Sequence, residues 1–315
     1  MISESLLRPE ELAAYRLRAL YGQYGYRLYR MATFEDYDLC VRNRDFLTGD
    51  RFITFTDAGG RLMALKPDIT LSVIRSGDDK PGIRQKLCYN ENVFRPDRGS
   101  GAFREIPQAG LECTGDLTEA DIFEVVTLAA KSLSLISDES LLDLSHLGLL
   151  GALLDGISPD GELRREVARC IATKNTHDLA LICRLQGIGG SRLDEIVFLA
   201  GLYGPLGEVL PRLEPYCESP AAVAAFAMLA RLSKALEGEG LAEKVRFNFA
   251  VINDMNYYNG IVFRGFVRGI SEGILSGGQY DPLMRRMGRQ SGGIGFALRL
   301  DLLEELPDTP KGGPA

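Results

Sequence analysis

The chain is poor in the residues that build metal centres and disulfide scaffolds: it holds two histidines and six cysteines. Cys40, Cys88, Cys113, Cys170, Cys183 and Cys217 stand too far apart for a Cys-x-x-Cys pair, and they are too few to staple so long a chain. They are predicted to be buried thiols. Neither His146 nor His177 has a second histidine or cysteine at ligand spacing, so no residue is assigned to a metal. No uncharged run approaches the roughly 18 residues of a bilayer span. The N-terminal Met1-Ile-Ser-Glu-Ser-Leu-Leu-Arg places a carboxylate where a secretory leader needs an apolar core. A cytoplasmic protein with no membrane contact is expected. A Gly-x-x-x-x-Gly-Lys-Ser/Thr loop is missing, and Gly292, Gly293 and Gly295 lack the third glycine that a dinucleotide turn would place at Leu298. A basic footprint is missing too. Lys and Arg number 36 against 43 Asp and Glu, a net charge of -7, whereas phosphate neutralisation supplies most of the affinity for nucleic acid. Nucleic acid is therefore not expected as a partner.

What is present is ordinary globular composition, 45% apolar and 25% charged. At about 150 residues per domain, 315 residues predict roughly two domains, or one large domain with an insert. Residues 8–24 carry apolar side chains at helical spacing behind Pro9 and two glutamates, which predicts an opening helix. Residues 53–56 and 61–65, joined by Asp57-Ala58-Gly59-Gly60, predict a hairpin leading into Lys66-Pro67-Asp68-Ile69-Thr70. Residues 85–95 and 105–115 predict two strands around a polar loop at 96–103. Thr118 with Asp121 predicts a capping box on a helix running towards Ile136. From 148 to 240 the pattern is helical, including a helix started by Ser219-Pro220 and ended by Gly238. Strands return at 245–251 and 261–268. Strands, then helices, then strands again, without regular βαβ alternation, predict an α+β fold around a largely antiparallel sheet.

Four segments, in this order, resemble the class II aminoacyl-tRNA synthetase core and specifically its histidyl branch. They are Thr54 to Thr70; Val93-Phe-Arg95 with Phe103-Arg-Glu-Ile-Pro-Gln-Ala-Gly-Leu-Glu112; Met255-Asn-Tyr-Tyr-Asn-Gly260; and Gly277-Gly-Gln-Tyr-Asp281 leading to Gly293-Ile-Gly-Phe-Ala297. The resemblance implies an antiparallel sheet of about six strands flanked by helices. Residues 1–305 would form the core, with 148–240 as a helical insert and 306–315 as a short tail. The chain ends where the synthetases continue, so no anticodon-binding domain is expected.

The same resemblance implies a site for histidine made by Asp68, Thr70, Gln108, Glu112, Tyr258 and Tyr280, with Tyr257 beside them and Arg95 available for the α-carboxylate. Asp68 and Gln108 can accept from an α-ammonium, while Glu112 and a tyrosine hydroxyl can meet the two imidazole nitrogens. Arg95 and Arg104 stand at two arginine positions of the nucleotide half. Ala102, Asn253 and Leu302 occupy positions where the synthetases carry arginines. Arg299, three residues before Leu302, would lie nearly one turn back on the same helix face and could compensate in part. Since adenylate formation needs preorganised cations, the loss implies no catalytic residues and no amino-acid activation.

A histidyl-synthetase-like core without these arginines resembles the regulatory-subunit family of ATP phosphoribosyltransferase. That resemblance implies a non-catalytic subunit with no cofactor and with histidine as effector. It also implies a dimeric core and a short catalytic partner chain at the first step of histidine biosynthesis. The alternative is a synthetase-like enzyme that forms an aminoacyl adenylate for an acceptor other than tRNA. Spacing alone leaves blander roles open: Tyr257 and Tyr258 as packing aromatics, Asp68 as a helix cap, and Arg95 and Arg104 as partners of Glu91, Glu105 or other surface carboxylates.

Overall fold

The computed structural model describes residues 6–47, 51–77, 80, 82–96, 102–157, 160–252 and 257–306. The strands are β1 (Arg27–Leu28), β2 (Phe34–Asp36), β3 (Thr54–Thr56), β4 (Leu62–Leu65), β5 (Arg84–Pro96), β6 (Phe103–Gly115), β7 (Ser140–His146), β8 (Tyr203–Pro205), β9 (Val245–Asn248), β10 (Ile261–Val267), β11 (Leu275–Gln279) and β12 (Gly292–Arg299). The helices are α1 (Pro9–Gln23), α2 (Tyr37–Arg42), α3 (Ile69–Ser76), α4 (Glu119–Ile136), α5 (Leu147–Ile157), α6 (Gly161–Ala172), α7 (Thr176–Leu185), α8 (Gly190–Gly201), α9 (Leu206–Leu213), α10 (Pro220–Gly238) and α11 (Asp281–Arg286). Among the described residues one sheet has nine strands in the order β1-β5-β6-β12-β11-β10-β7-β9-β8, and a second has three in the order β2-β4-β3.

Local chemistry accounts for many of the element boundaries. Pro9 opens α1, where Glu11 accepts from the Arg8 amide at 2.9 Å. In the turn between β3 and β4, Asp57 Oδ1 accepts from the Gly59 and Arg61 amides, and Gly60 takes the positive φ of 80° that the reversal needs. Thr118 and Asp121 form the expected capping box on α4. The Ser219 hydroxyl caps α10, which runs to Gly238.

The sheet is wider than the six strands expected, and it is mixed. β1 pairs with β5, and β7 with β9, in parallel; the other ladders are antiparallel. β7 lacks the alternation that marks a half-exposed strand because both of its faces are covered: six of its seven residues are buried. The stretch 148–240 is not purely helical. α5 already begins at Leu147, and the three-residue β8 inside the stretch pairs with β9 at the sheet edge. The strand expected over 245–251 stops at Asn248, whose side-chain oxygen takes the Ala250 amide at 3.0 Å and turns the chain. Most of the loop at 96–103, the segment 253–256 and the tail from 307 lie outside the described residues.

Directly paired residues project to the same face of a sheet. Cys88, Leu111, Phe296, Gly277, Phe263, Leu144 and Phe247 form one row across seven strands. Its side chains are buried in the main core with Leu17 and Tyr21 of α1 and Val125 and Leu128 of α4. The Tyr21 ring meets Phe296 edge-on at 6.0 Å, and its hydroxyl bonds Ser132 of α4 at 3.0 Å. The opposite face carries a different row, described next. No described helix is long and apolar enough to cross a membrane.

Candidate functional site

One residue along from the apolar row lies Leu87, Glu112, Gly295, Gly278, Val262 and Ser145, projecting to the other face. Glu112 is 2% exposed. A Cβ on Gly295 would overlap its Oε2, and a Cβ on Gly278 would press on the Tyr258 ring. The two glycines leave the volume that the carboxylate and the aromatic ring occupy. Gly293 does the same for the Tyr280 ring.

Glu112 is held from two sides. The Thr70 hydroxyl donates to Oε1 at 2.8 Å and the Tyr280 hydroxyl to Oε2 at 2.7 Å. Thr70 is delivered by the first turn of α3, and Tyr280 immediately precedes α11. Burial pushes the Glu112 carboxyl up to about 8; the two hydroxyls pull it down in part, and the negative charge of Asp68 adds to the rise. Burial likewise holds the Tyr257 and Tyr280 phenols well above their usual range.

Asp68 both caps α3 and faces the site. Its Oδ1 accepts from the Leu71 amide at 3.0 Å, while Oδ2 lies 3.1 Å from the Arg95 guanidinium. Arg95 also donates from Nε to the Pro67 carbonyl at 2.7 Å. This corner is fixed by Lys66, a 1% exposed lysine whose ammonium meets Glu91 on β5 at 2.8 Å. The Phe94 amide also donates to the Lys66 carbonyl. The small sheet is thereby tied to β5 just where Asp68 must meet Arg95. Gln108 is buried on β6, in phase with Glu112. Tyr257 packs among Leu71, Ile74, Tyr280, Leu283 and Met284, with its ring 4.4 Å from that of Tyr258.

The eight positions expected to bind histidine thus fall on one face of the sheet and the elements lying over it. Tyr257 is chiefly a wall, and the positions expected to correspond to a nucleotide site are differently placed. Leu302 is 5% exposed and packs in the main core, leaving that position apolar. Arg299 ends β12 rather than lying on a helix, so the one-turn relation to Leu302 does not hold; it pairs with Asp301 at 2.7 Å and Glu272 at 3.0 Å. Glu91, one of the carboxylates considered for Arg95, pairs with Lys66 instead. Ala102 and Arg104 are exposed at the far end of the β5–β6 hairpin, and Asn253 lies outside the described residues.

Sequence reasoning missed the glycine floor and the Lys66–Glu91 clamp. The clustered glycines of β11 and β12 were the available signal for the floor, since glycine inside a strand marks a close approach.

This arrangement is an α+β synthetase-like core with a buried polar corner where Glu112 meets Thr70 and Tyr280. Residues 4–303 match the histidyl-tRNA synthetase family, and the chain belongs to that family. Among curated relatives it is similar to the ATP phosphoribosyltransferase regulatory subunit of Oceanobacillus iheyensis, with 28% identity over 89% of this chain and 69% of that protein. Its fold matches the crystal structure of an ATP phosphoribosyltransferase regulatory subunit/histidyl-tRNA synthetase from Bacillus halodurans, with a TM-score of 0.85 and 24% identity over 95% of this chain and 79% of that one. It also matches a chain of the ATP phosphoribosyl transferase (HisG:HisZ) complex from Thermotoga maritima, with a TM-score of 0.72 and 18% identity over 92% of this chain and 97% of that one.

Proposed function

We propose that this chain is a regulatory subunit of ATP phosphoribosyltransferase, and that it reads histidine in the corner between Asp68, Arg95 and Glu112. The similarity to curated regulatory subunits supports the first part. The second rests on one observation: a buried carboxylate, Glu112, gripped by two hydroxyls above a floor of glycines. A group so desolvated is costly unless a ligand or a proton compensates it.

The chemistry fits a zwitterionic imidazole amino acid. The Asp68–Arg95 pair presents one carboxylate and one guanidinium side by side, the complement of an α-ammonium and an α-carboxylate. Glu112 and the Tyr258 side receive the ring nitrogens, and Gln108 adds an amide that accepts or donates. Adenylation has no comparable support. Its transition state needs cations aimed at the phosphates, whereas Arg299 is committed to two carboxylates and the Leu302 position is apolar. The chain is therefore a non-catalytic subunit of a cytoplasmic complex: a dimeric core acting on a short catalytic phosphoribosyltransferase partner. Linkage makes the control reciprocal, so substrates that favour the partner's active state weaken histidine binding by the same factor that histidine weakens theirs.

Calorimetric titration of the chain and of its complex with L-histidine tests the reading. Saturable heat that disappears in Glu112→Ala is expected. Heat that survives this substitution moves the effector site elsewhere, and no heat with either preparation removes the sensing role. Pyrophosphate exchange with histidine and ATP checks the adenylating alternative, and robust exchange would replace the regulatory reading.

A further inference from the structure

The next row on the polar face continues past the histidine corner as Ser276, Arg264, Asp143 and Arg246. At its β10-β7-β9 end is a cavity of about 260 Å³, lined by Asp143, Lys174, Asn248, Arg264 and Phe266 together with residues 250–252. β6, which carries Glu112, lies three strands from β10 and four from β7. At about 4.8 Å per strand the cavity is roughly 15 Å or more from that carboxylate, and no residue of the proposed histidine site lines it.

Two cations, Lys174 and Arg264, line this cavity with one carboxylate, Asp143, and Arg246 is the strand partner of Asp143 beside it. Lys174 comes from the turn between α6 and α7, and its backbone has a φ of 53°, unlike any other described residue except glycines. This left-handed residue closes α6, with the Lys174 amide on the Ile171 carbonyl and the Asn175 amide on the Cys170 carbonyl. The turn sends its ammonium over the Tyr203 ring at 5.1 Å, and Arg246 faces the same ring at 6.0 Å. The Arg246 Nε is buried without a hydrogen-bond partner. Arg264 runs across Gly273, where a Cβ would collide with its side chain, and its guanidinium lies 5.6 Å from the Phe266 ring. Asp143 accepts from the Asn248 amide at 2.7 Å, and the Asn248 oxygen in turn takes the Ala250 amide at 3.0 Å. Aromatic rings and turns therefore hold the cations in place around an open, polar volume.

We propose that this cavity binds a phosphate group, either free or carried on a small hydroxylated compound. Lys174 and Arg264 take the phosphate, and the Asp143–Asn248 pair takes neighbouring hydroxyls. The volume is below the 300 Å³ or so at which drug-sized pockets begin, which limits the occupant to about one sugar ring or less. Since Lys174 belongs to the helical stretch and the other ligands to the sheet, occupancy joins the two.

Calorimetry on the full chain at low ionic strength, with inorganic phosphate, ribose 5-phosphate and ribose as probes, tests this. Saturable binding of at least one phosphate compound is expected, with ribose alone silent. Lys174→Gly and Arg264→Gln should each weaken it by about tenfold, the loss of one charge-assisted contact. Glycine relieves the positive φ at 174, so Lys174→Gly is expected to melt no lower than the parent, which separates lost binding from lost structure. Tighter binding of ribose 5-phosphate than of phosphate assigns the hydroxyl contacts to Asp143 and Asn248, and equal binding assigns the free anion. No saturable heat with either phosphate compound, or affinity indifferent to both substitutions, overturns the proposal.

Discussion

The two faces of the large sheet differ in how they use neighbouring residues on the same strands. On the face covered by α1 and α4, Leu111, Phe296, Phe263 and Phe247 fill space. One position along, on the other face, Glu112 stands where Leu111 has its apolar neighbour, and glycines replace the bulk of Phe296. The main core lies on the face that adds volume, and the proposed histidine site on the face where glycines remove it. Because the side-chain period of a strand is two, both roles are written into one segment without interfering.

The strongest test of that division is a matched pair of substitutions. Gly295→Ala places a methyl group against Glu112 Oε2 and the Leu111 carbonyl. Overpacking of this kind costs about 1 to 3 kcal/mol, but the larger effect falls on the pocket, and histidine heat should be lost. Leu128→Ala, on α4 beneath the apolar row, should cost about 2 to 5 kcal/mol in urea unfolding and leave histidine affinity within about threefold, a difference well under 1 kcal/mol. If Leu128→Ala removes the histidine heat while leaving the fold intact, the two faces are coupled and the division fails.

A second test uses pH. Burial raises the Glu112 carboxyl to about 8, against about 4.3 in an unfolded chain. Its folded value is raised, so its contribution to stability is complete at pH values below the unfolded one and is lost as pH rises through about 8. Ligand binding has a different profile. Between the imidazole value of about 6.5 and the Glu112 value, the pair holds one proton, on whichever partner, and affinity should be flat. Below that window both are protonated and above it neither is, so affinity falls on both sides by up to about tenfold per pH unit. Calorimetry between about pH 5 and 9 reads this directly, and Glu112→Gln should abolish the alkaline flank.

How much of this was legible in the sequence follows the same division. The paired long strands, the opening helix, the capping box on α4 and the bounds of α10 were readable because each depends on neighbours within a few residues. β7 was not, since burial on both faces erases its alternation, nor were β1 and β8, which are too short to show any period. The grouping of Asp68, Thr70, Glu112 and Tyr280 could be expected only from the family resemblance; no local rule brings residues 168 positions apart to 2.7 Å. The fate of Arg299 was misread because a helix was expected where β12 continues, and a strand end turns its guanidinium towards Asp301. The Lys66–Glu91 clamp needed coordinates, since a lysine in sequence reads as surface by default.

The smallest expected effect on stability separates two roles that sequence and structure both assign to Asp68. As an N-cap it accepts from the Leu71 amide, and as a charge it meets Arg95. Asparagine caps a helix about as well as aspartate does, so Asp68→Asn keeps the first role and removes the second. The ion pair is partly exposed, with side-chain exposures of 21% and 16%, and its loss should cost at most about 1 kcal/mol in urea unfolding. Histidine affinity should fall further, by about tenfold, because the α-ammonium loses its only charged partner in the proposed pose. Asp68→Ala removes both roles and should add about 1 kcal/mol of instability from the lost cap. If Asp68→Asn binds histidine as tightly as the parent, the residue is a cap alone, and the amino group of the ligand must be received by Gln108 and by carbonyls of the chain.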